Sequence, residues 1–428
     1  MGTFEVNEIG VQWTPILHGV IRSDAIASIQ AVSSALRTAE LARPHHASLA
    51  SGAAGVALFY AFLSEAQPDL DESSANLAFE FMSRSVQALT SEHQTPRFYG
   101  GFTGVAWALE HLQGRLLERD DDDPNAPIDE ALTVLLDQDH WRGDYELISG
   151  LVGYGVYALA RQSSSQRNAL LTAIVRHLEE TAIATSGSLT WFTPSHLLPQ
   201  RQRERSPGGF FNLGLAHGVP GVIAFLAQIC SQGIASGSAR ALLDRAVSWL
   251  LSQEVTAPGA EGFPSTLSPD GRSTDRERTR VAWCYGDLGI ATALLWAARS
   301  VQESNWEREA IRIATRAAER PLEKSGVVDA GLCHGAAGNG HLFNRLYQAT
   351  RNEMFLDAAR RYFQQALAFR RPGQGVGGFR SFSGFAGEWK ANPGLLEGAA
   401  GVGLAFLAAI SSVEPEWDRM LLVSVPPR

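Results

Sequence analysis

Cys284, Cys333 and His334 offer two thiolates and an imidazole in the short stretches Trp283-Cys284-Tyr285-Gly286 and Leu332-Cys333-His334-Gly335. Donors of this kind suit zinc, and three of them leave a tetrahedral ion with one open position, the arrangement of a catalytic rather than a structural site. The third cysteine, Cys230, ends the apolar run 222–230. A thiol that takes the open position on zinc is held as thiolate, because the cation stabilises the charge directly. Thiolate chemistry is therefore what these residues predict. Spacing alone does not specify it, since adjacent Cys-His is no standard finger pattern and 49 residues separate Cys284 from Cys333.

An internal repeat supplies the context. A Gly-x-x-Gly element followed by an apolar helical run occurs seven times, at Gly52/Gly55, Gly101/Gly104, Gly150/Gly153, Gly218/Gly221, Gly286/Gly289, Gly335/Gly338 and Gly398/Gly401. Successive first glycines are 49, 49, 68, 68, 49 and 63 residues apart, enough for two helices and their connections. Between them, 25–41, 73–89, 169–185, 238–254, 306–323 and 352–370 show helical period and no strand alternation. These segments are amphipathic and predict outer helices, whereas the runs after the glycines are apolar nearly all round and predict inner ones. Fold class is thus all-α, seven helical hairpins that stack as an open solenoid or close into a ring. Small residues where helix ends converge favour the ring. The residues before the first glycines, Ser51, Gly100, Ser149, His217, Tyr285, His334 and Glu397, then meet on one rim, with Cys284 and Cys333 one position earlier.

The repeat and the ordered motifs Gly-Leu-Ala-His-Gly-Val-Pro-Gly (214–221), Trp-Cys-Tyr-Gly (283–286) and Leu-Cys-His-Gly (332–335) resemble the lanthionine synthetase C-like (LanC-type) cyclases over nearly the whole chain. That resemblance implies a double-layered α/α toroid with one zinc per chain, held by Cys284, Cys333 and His334 at one end. It implies lanthipeptide biosynthesis: intramolecular addition of a peptide cysteine thiol to dehydroalanine or dehydrobutyrine, forming a thioether ring. His217 matches the family's active-site histidine and would move a proton to or from the enolate, the alternative being a core histidine at a helix start. Arg280, four residues before Cys284, would stabilise the enolate oxygen or hold a carboxylate, or is a solvated charge. Tyr285 would line the site or simply pack. Where the peptide cyclases carry aspartate four residues before the third repeat's glycine, this chain has Glu146, with Asp144 as a possible substitute. Glutamate there resembles the eukaryotic LanC-like proteins, whereas Trp-Cys-Tyr-Gly resembles the bacterial peptide-modifying branch.

The 428 residues, 45% hydrophobic and 19% charged, fit one domain, 1–428, with repeats from about 25 to 410. Three cysteines make no disulfide framework, and neither a signal segment nor an apolar run of membrane-spanning length is found, so a cytoplasmic enzyme is expected. A net charge of -9 argues against a nucleic-acid partner. The acidic run 120–123 and the patch Arg201, Arg203 and Arg205 read as solvated loops or as steering charges for a precursor. With no kinase-like or lyase-like segment apparent, the family resemblance implies a separate dehydratase, in a complex with an exporter, that prepares the dehydrated precursor peptide. Three other readings stay open: a LanC-like enzyme adding glutathione to dehydroamino acids, a protein prenyltransferase-like toroid, whose metal set normally includes aspartate, and a non-catalytic peptide-binding scaffold.

Overall fold

Apolar residues on every side of some helices, and on one stripe of others, sort the chain into two layers. The computed structural model describes residues 12–39, 46–91, 94–119, 122–273, 279–384 and 387–426. Seven helices are buried over most of their surface: α2 Ala53–Ala66, α4 Phe102–Leu112, α6 Leu151–Ala160, α9 Val219–Ser231, α11 Asp287–Val301, α13 Ala336–Thr350 and α15 Ala399–Ile410. Seven others keep a wet face: α1 Gly19–Leu36, α3 Ser74–Ser91, α5 Ala126–Leu136, α7 Ser165–Thr181, α10 Ser236–Ser252, α12 Ser304–Glu319 and α14 Glu353–Phe369. A short helix, α8 Gln200–Arg205, lies between α7 and α9. All twelve residues of α15 are buried, whereas α12 buries only the stripe Ala310, Ile313, Ala314, Ala317 and Ala318.

The contacts run in a closed cycle. Each inner helix packs on the next, α15 returns to α2, and each outer helix covers the inner helix before it. The exception is α1, which covers α15 and so completes the outer layer. The segment leading into α1 fastens it: Trp13 Nε1 donates to the Ala408 carbonyl at 2.8 Å, and Ile16 N to that of Ala409 at 2.9 Å.

Several element ends differ from the sequence expectation for local reasons. α12 stops at Glu319 rather than 323, because Pro321 disfavours helix in the residue before it and cannot donate. α7 is capped by Ser164, whose hydroxyl accepts from Arg167 N, and it ends at Thr181. α1 begins at Gly19 and ends at Leu36, so the expected 25–41 helix starts earlier; its last residues, 40–41, lie outside the described ones. α5 is not among the helices expected from the sequence; it starts just after the acidic run, with Pro127 in its first turn where no intrahelical donor is needed.

Seven short strands among the described residues were not expected. β1 Ile183–Thr185 pairs with β2 Ser188–Thr190, β3 Phe192–Thr193 with β4 Phe210–Asn212, β4 with β5 Thr266–Leu267, and β6 Ser381–Ser383 with β7 Glu388–Lys390, all antiparallel. None exceeds three residues, too few for an alternating pattern. All fall within the three repeat steps longer than 49 residues.

At one end of the cycle the loops before the inner helices are tied edge to edge. Tyr99 N donates to Ile148 O, Ala50 N to Tyr99 O, Leu396 N to Ala50 O, Cys333 N to Leu396 O and Cys284 N to Cys333 O, at 2.7 to 3.4 Å. Beneath them Leu49, Phe98, Leu147, Leu215, Trp283, Leu332 and Leu395, one per loop, are at most 1% exposed. Each loop folds back so tightly that a side chain at the second glycine is excluded. A Cβ at Gly401 would stand 1.9 Å from the Leu395 carbonyl oxygen and 2.9 Å from Leu332 Cβ of the preceding repeat. Gly401→Ala should therefore cost about 1–3 kcal/mol by overpacking, seen as a thermal midpoint several degrees below wild type. Gly237→Ala, at an exposed position of α10 with open space around it, should leave the midpoint unchanged or raise it slightly.

Candidate metal and active site

Cys284, Cys333 and His334 meet on that rim. The turn before α11 passes through Gly286 at φ +92°, where a Cβ would lie 2.1 Å from the Arg280 carbonyl; glycine alone adopts this turn readily. The backbone bond from Cys284 N to Cys333 O sets the two cysteine loops in register. The two sulfur atoms and one ring nitrogen all lie within 4.8 Å of one another, Cys284 buried and the other two partly exposed. Tetrahedral zinc would hold such atoms about 3.5–3.8 Å apart, so the cluster needs only slight contraction. Its electrostatics fit a cation. The Cys284 thiol is drawn well below its ordinary value by the hydrogen bond from Cys333, against burial, and further by His334 and Arg280. Cys333 is held high as the donor of that bond, so two sulfurs share one proton that a metal would displace.

His217 stands before α9, in a neighbouring loop. Its Nδ1 lies 2.8 Å from Glu146 Oε2, and 45% of its side chain remains accessible. Glu146 is itself buried and fixed, accepting from Ile148 N at 3.0 Å and Ser149 N at 2.6 Å. Burial pushes the imidazole pKa down, but the charge and hydrogen bond of Glu146 outweigh it and the net shift is upward. Asp144, the other carboxylate considered, does not take this place: burial and the charge of Glu146 push it up to about 6. Tyr285 follows Cys284, and its ring stacks beside His217 with centroids 6.3 Å apart; its hydroxyl accepts from Asn212 Nδ2 at 3.1 Å. Arg280 is exposed, and its charge reaches the Cys284, Cys333 and Glu397 side chains.

A cavity of about 290 Å³ opens over His217, Glu146 and Tyr285. Leu197, Leu198, Pro199 and Phe210 from the stranded insertion form its apolar wall, and Arg97 and Asp144 its polar one. The basic patch expected at Arg201, Arg203 and Arg205 lies exposed on α8, beside this wall. Of the acidic run, 120–121 lie outside the described residues, and Asp123 pairs with Arg161.

One participant, Asn212, escaped the sequence reading, and another, Glu397, was placed on the rim without a role. Asn212 orients Tyr285 and, through Oδ1, accepts from Gly214 N; it stands six residues before a first glycine, as do Asp329 and Asn392, which make the same turn. That column of the repeat is the signal that marks Asn212. Glu397 occupies the same column as His217 and His334, and burial raises its pKa while the nearby His334 lowers it.

A family model described as lanthionine synthetase C-like protein matches residues 43–422. The nisin biosynthesis protein NisC of Lactococcus lactis subsp. lactis is 25% identical over 316 residues, covering 68% of this chain and 72% of that protein. Glutathione S-transferase LANCL1 of Danio rerio is 25% identical over 338 residues, covering 76% of this chain and 75% of that one. Among solved structures, nisin cyclase superposes with a TM-score of 0.73 at 20% identity, over 94% of this chain and 97% of that one, a likeness of fold. Among the described residues no helix is long and apolar enough to cross a membrane. With the family match spanning all seven glycine elements and the three clustered ligands, this chain belongs to the lanthionine synthetase C-like protein family.

Proposed function

We propose that this protein is a zinc-dependent lanthipeptide cyclase. It would close (methyl)lanthionine rings by adding cysteine thiols of a dehydrated precursor peptide to its dehydroalanine or dehydrobutyrine residues. The observation that carries the reading is the pairing of a three-ligand cluster with a carboxylate-held histidine on adjacent loops of one rim. The closed cycle of helices supports a single α/α toroid domain, with one zinc per chain held by Cys284, Cys333 and His334. When bound there, zinc supplies the positive charge that keeps a substrate thiol ionised near pH 7.

The chain's own residues handle the proton. Glu146 engages Nδ1 of His217, which leaves Nε2 for the accessible side of the ring. That nitrogen accepts the thiol proton, sulfur bonds to the β-carbon, and the alkene pair moves into an enolate. Returning the same proton from Nε2 to the α-carbon completes an addition with no net gain or loss of atoms. The upward-shifted pKa of His217 suits the donating half of this cycle. Arg280, by its charge, and Tyr285, by its position beside His217, would hold the developing enolate. The apolar wall of the cavity would receive the substrate backbone and side chains. The enzyme would act in the cytoplasm after a separate dehydratase and beside an exporter.

A second reading, addition of glutathione to dehydroamino acids, is favoured by Glu146 in the histidine-holding place and by the likeness to LANCL1. It uses the same residues with a free thiol.

Purified protein should hold about one zinc per chain. Cys333→Ala should lose most of it, and Cys230→Ala, on α9 away from the cluster, should lose none; elemental analysis decides. Active protein devoid of metal would end the zinc reading.

His217→Ala should retain zinc yet lose ring closure by at least a hundredfold. The assay incubates enzyme with a dehydrated, cysteine-containing precursor, then alkylates free thiols and weighs the product. Ring closure protects thiols without changing mass, whereas glutathione addition increases it by the tripeptide.

Glu146 holds the imidazolium by its charge, so Glu146→Gln should lower the His217 pKa. The limb of the pH–rate profile that reports His217 should move to lower pH, and histidine NMR titration should show the same displacement. An unmoved titration would show that the carboxylate does not act on the ring.

A further inference from the structure

Alone among the inner helices, α13 buries two basic side chains, His341 and Arg345. They face the segment 414–425, which follows α15 and includes the short helix Glu416–Leu421. Trp417, Asp418, Met420, Leu421 and Val423 are each at most 1% exposed. The segment touches inner helices on both sides of α15. Trp417 packs against Phe62 of α2 at 6.4 Å between ring centroids and stacks on His341 of α13 at 4.8 Å. It also meets Tyr99 before α4 and Trp283 before α11, three steps apart in the cycle, and so occupies the middle of the ring.

Asp418 is its anchor. The carboxylate accepts from His341 Nε2 at 2.7 Å, from Arg345 Nε at 2.6 Å and Nη2 at 3.0 Å, and from the Ser424 hydroxyl. Arg345 also donates to the Pro415 carbonyl at 3.2 Å. A charge this deep is held only because every neighbour donates to it. Toward the rim the same segment presents two carbonyls: Leu421 O accepts from Trp283 Nε1 at 2.9 Å, and Met420 O from the Tyr99 hydroxyl at 2.8 Å. Trp283 immediately precedes Cys284, and Tyr99 packs edge-on against its ring at 6.0 Å. Helix α13, to which Asp418 locks the segment, begins two residues after His334.

We propose that the segment 414–425 is a positioning element for the metal cluster. It reaches Cys284 through Leu421 O and Trp283, and Cys333 and His334 through Asp418 and α13. Both ligand-bearing loops are thereby referred to one buried strut. The inference rests on the zinc reading above. Groups that orient ligands from behind typically contribute ten- to a hundredfold in metal affinity, and by linkage the metal must tighten the segment by the same factor by which the segment tightens the metal.

The test uses the full-length protein with zinc as the probe. Trp283→Phe and Tyr99→Phe each delete one donor to the segment and keep a ring in place. Tyr60→Phe is the control, since its hydroxyl donates to Ser33 O at 2.6 Å in an equally buried bond between α2 and α1. Thermal unfolding of the metal-free proteins measures the common structural cost. Chelator competition should show zinc binding weakened about tenfold by Trp283→Phe, less by Tyr99→Phe, and unchanged by Tyr60→Phe. Hydrogen exchange should show amides of 416–425 slowed by zinc in wild type and less so in Trp283→Phe. Equal zinc affinity in Trp283→Phe and the control, or no zinc-dependent protection of 416–425, overturns the positioning role while leaving the metal reading intact. Wild-type protein that took up no zinc would overturn the metal reading and this inference with it.

Discussion

Everything on the rim depends on one steric exclusion. At each inner helix the chain doubles back so that the carbonyl six residues before the second glycine occupies the space of a side chain. Only hydrogen fits there. The residues between that carbonyl and the helix are consequently forced into one shape in all seven loops, and equal positions in the repeat become equal positions in space. Cys284 and Cys333 share one column, His217, Tyr285, His334 and Glu397 the next, and the backbone bonds between neighbouring loops hold those columns in register.

The rim is not uniform, and its irregularity coincides with the chemistry. Backbone bonds link the loops from Ile148 round to Cys284, and among the described residues that line does not include the loop of His217. Side chains join it instead: Glu146 to His217 on one side, Asn212 to Tyr285 on the other. A backbone ladder tolerates little displacement, whereas a carboxylate and an amide can follow a ring that gains and loses a proton. Glu146 stays fixed through its two backbone donors, so the charge that tunes His217 does not wander.

Much of this was legible in the sequence because it is local. Apolar periodicity separated inner from outer helices, and glycine spacing marked the loops, since both properties belong to a few consecutive residues. The grouping of Cys284, Cys333 and His334 followed from the repeat column. Strands of two or three residues carry no period and were invisible, although the long steps that contain them were measured. Helix α5 was hidden by Pro127, a residue that reads as a breaker until its place in the first turn is known. Whether Glu146 or Asp144 serves His217 was undecidable, because two residues of difference on a tight turn decide which carboxylate faces the next loop. The roles of Trp283 and Asp418 lay further out of reach, since their partners are more than 70 residues away.

The contact between Trp13 and Ala408 has a kinetic meaning. It joins residues 395 positions apart, so its loop-closure cost must be met before α1 can cover α15, and such distant pairings form slowly. Until then α15 presents an apolar outer face with no cover, the kind of surface through which partly folded chains associate. A closed cycle has no free edge once complete, but during synthesis it has two. The emerging chain must carry its first inner helix exposed until the seventh is made, which makes the last step of folding, rather than the stability of the finished ring, the point at which yield is most easily lost.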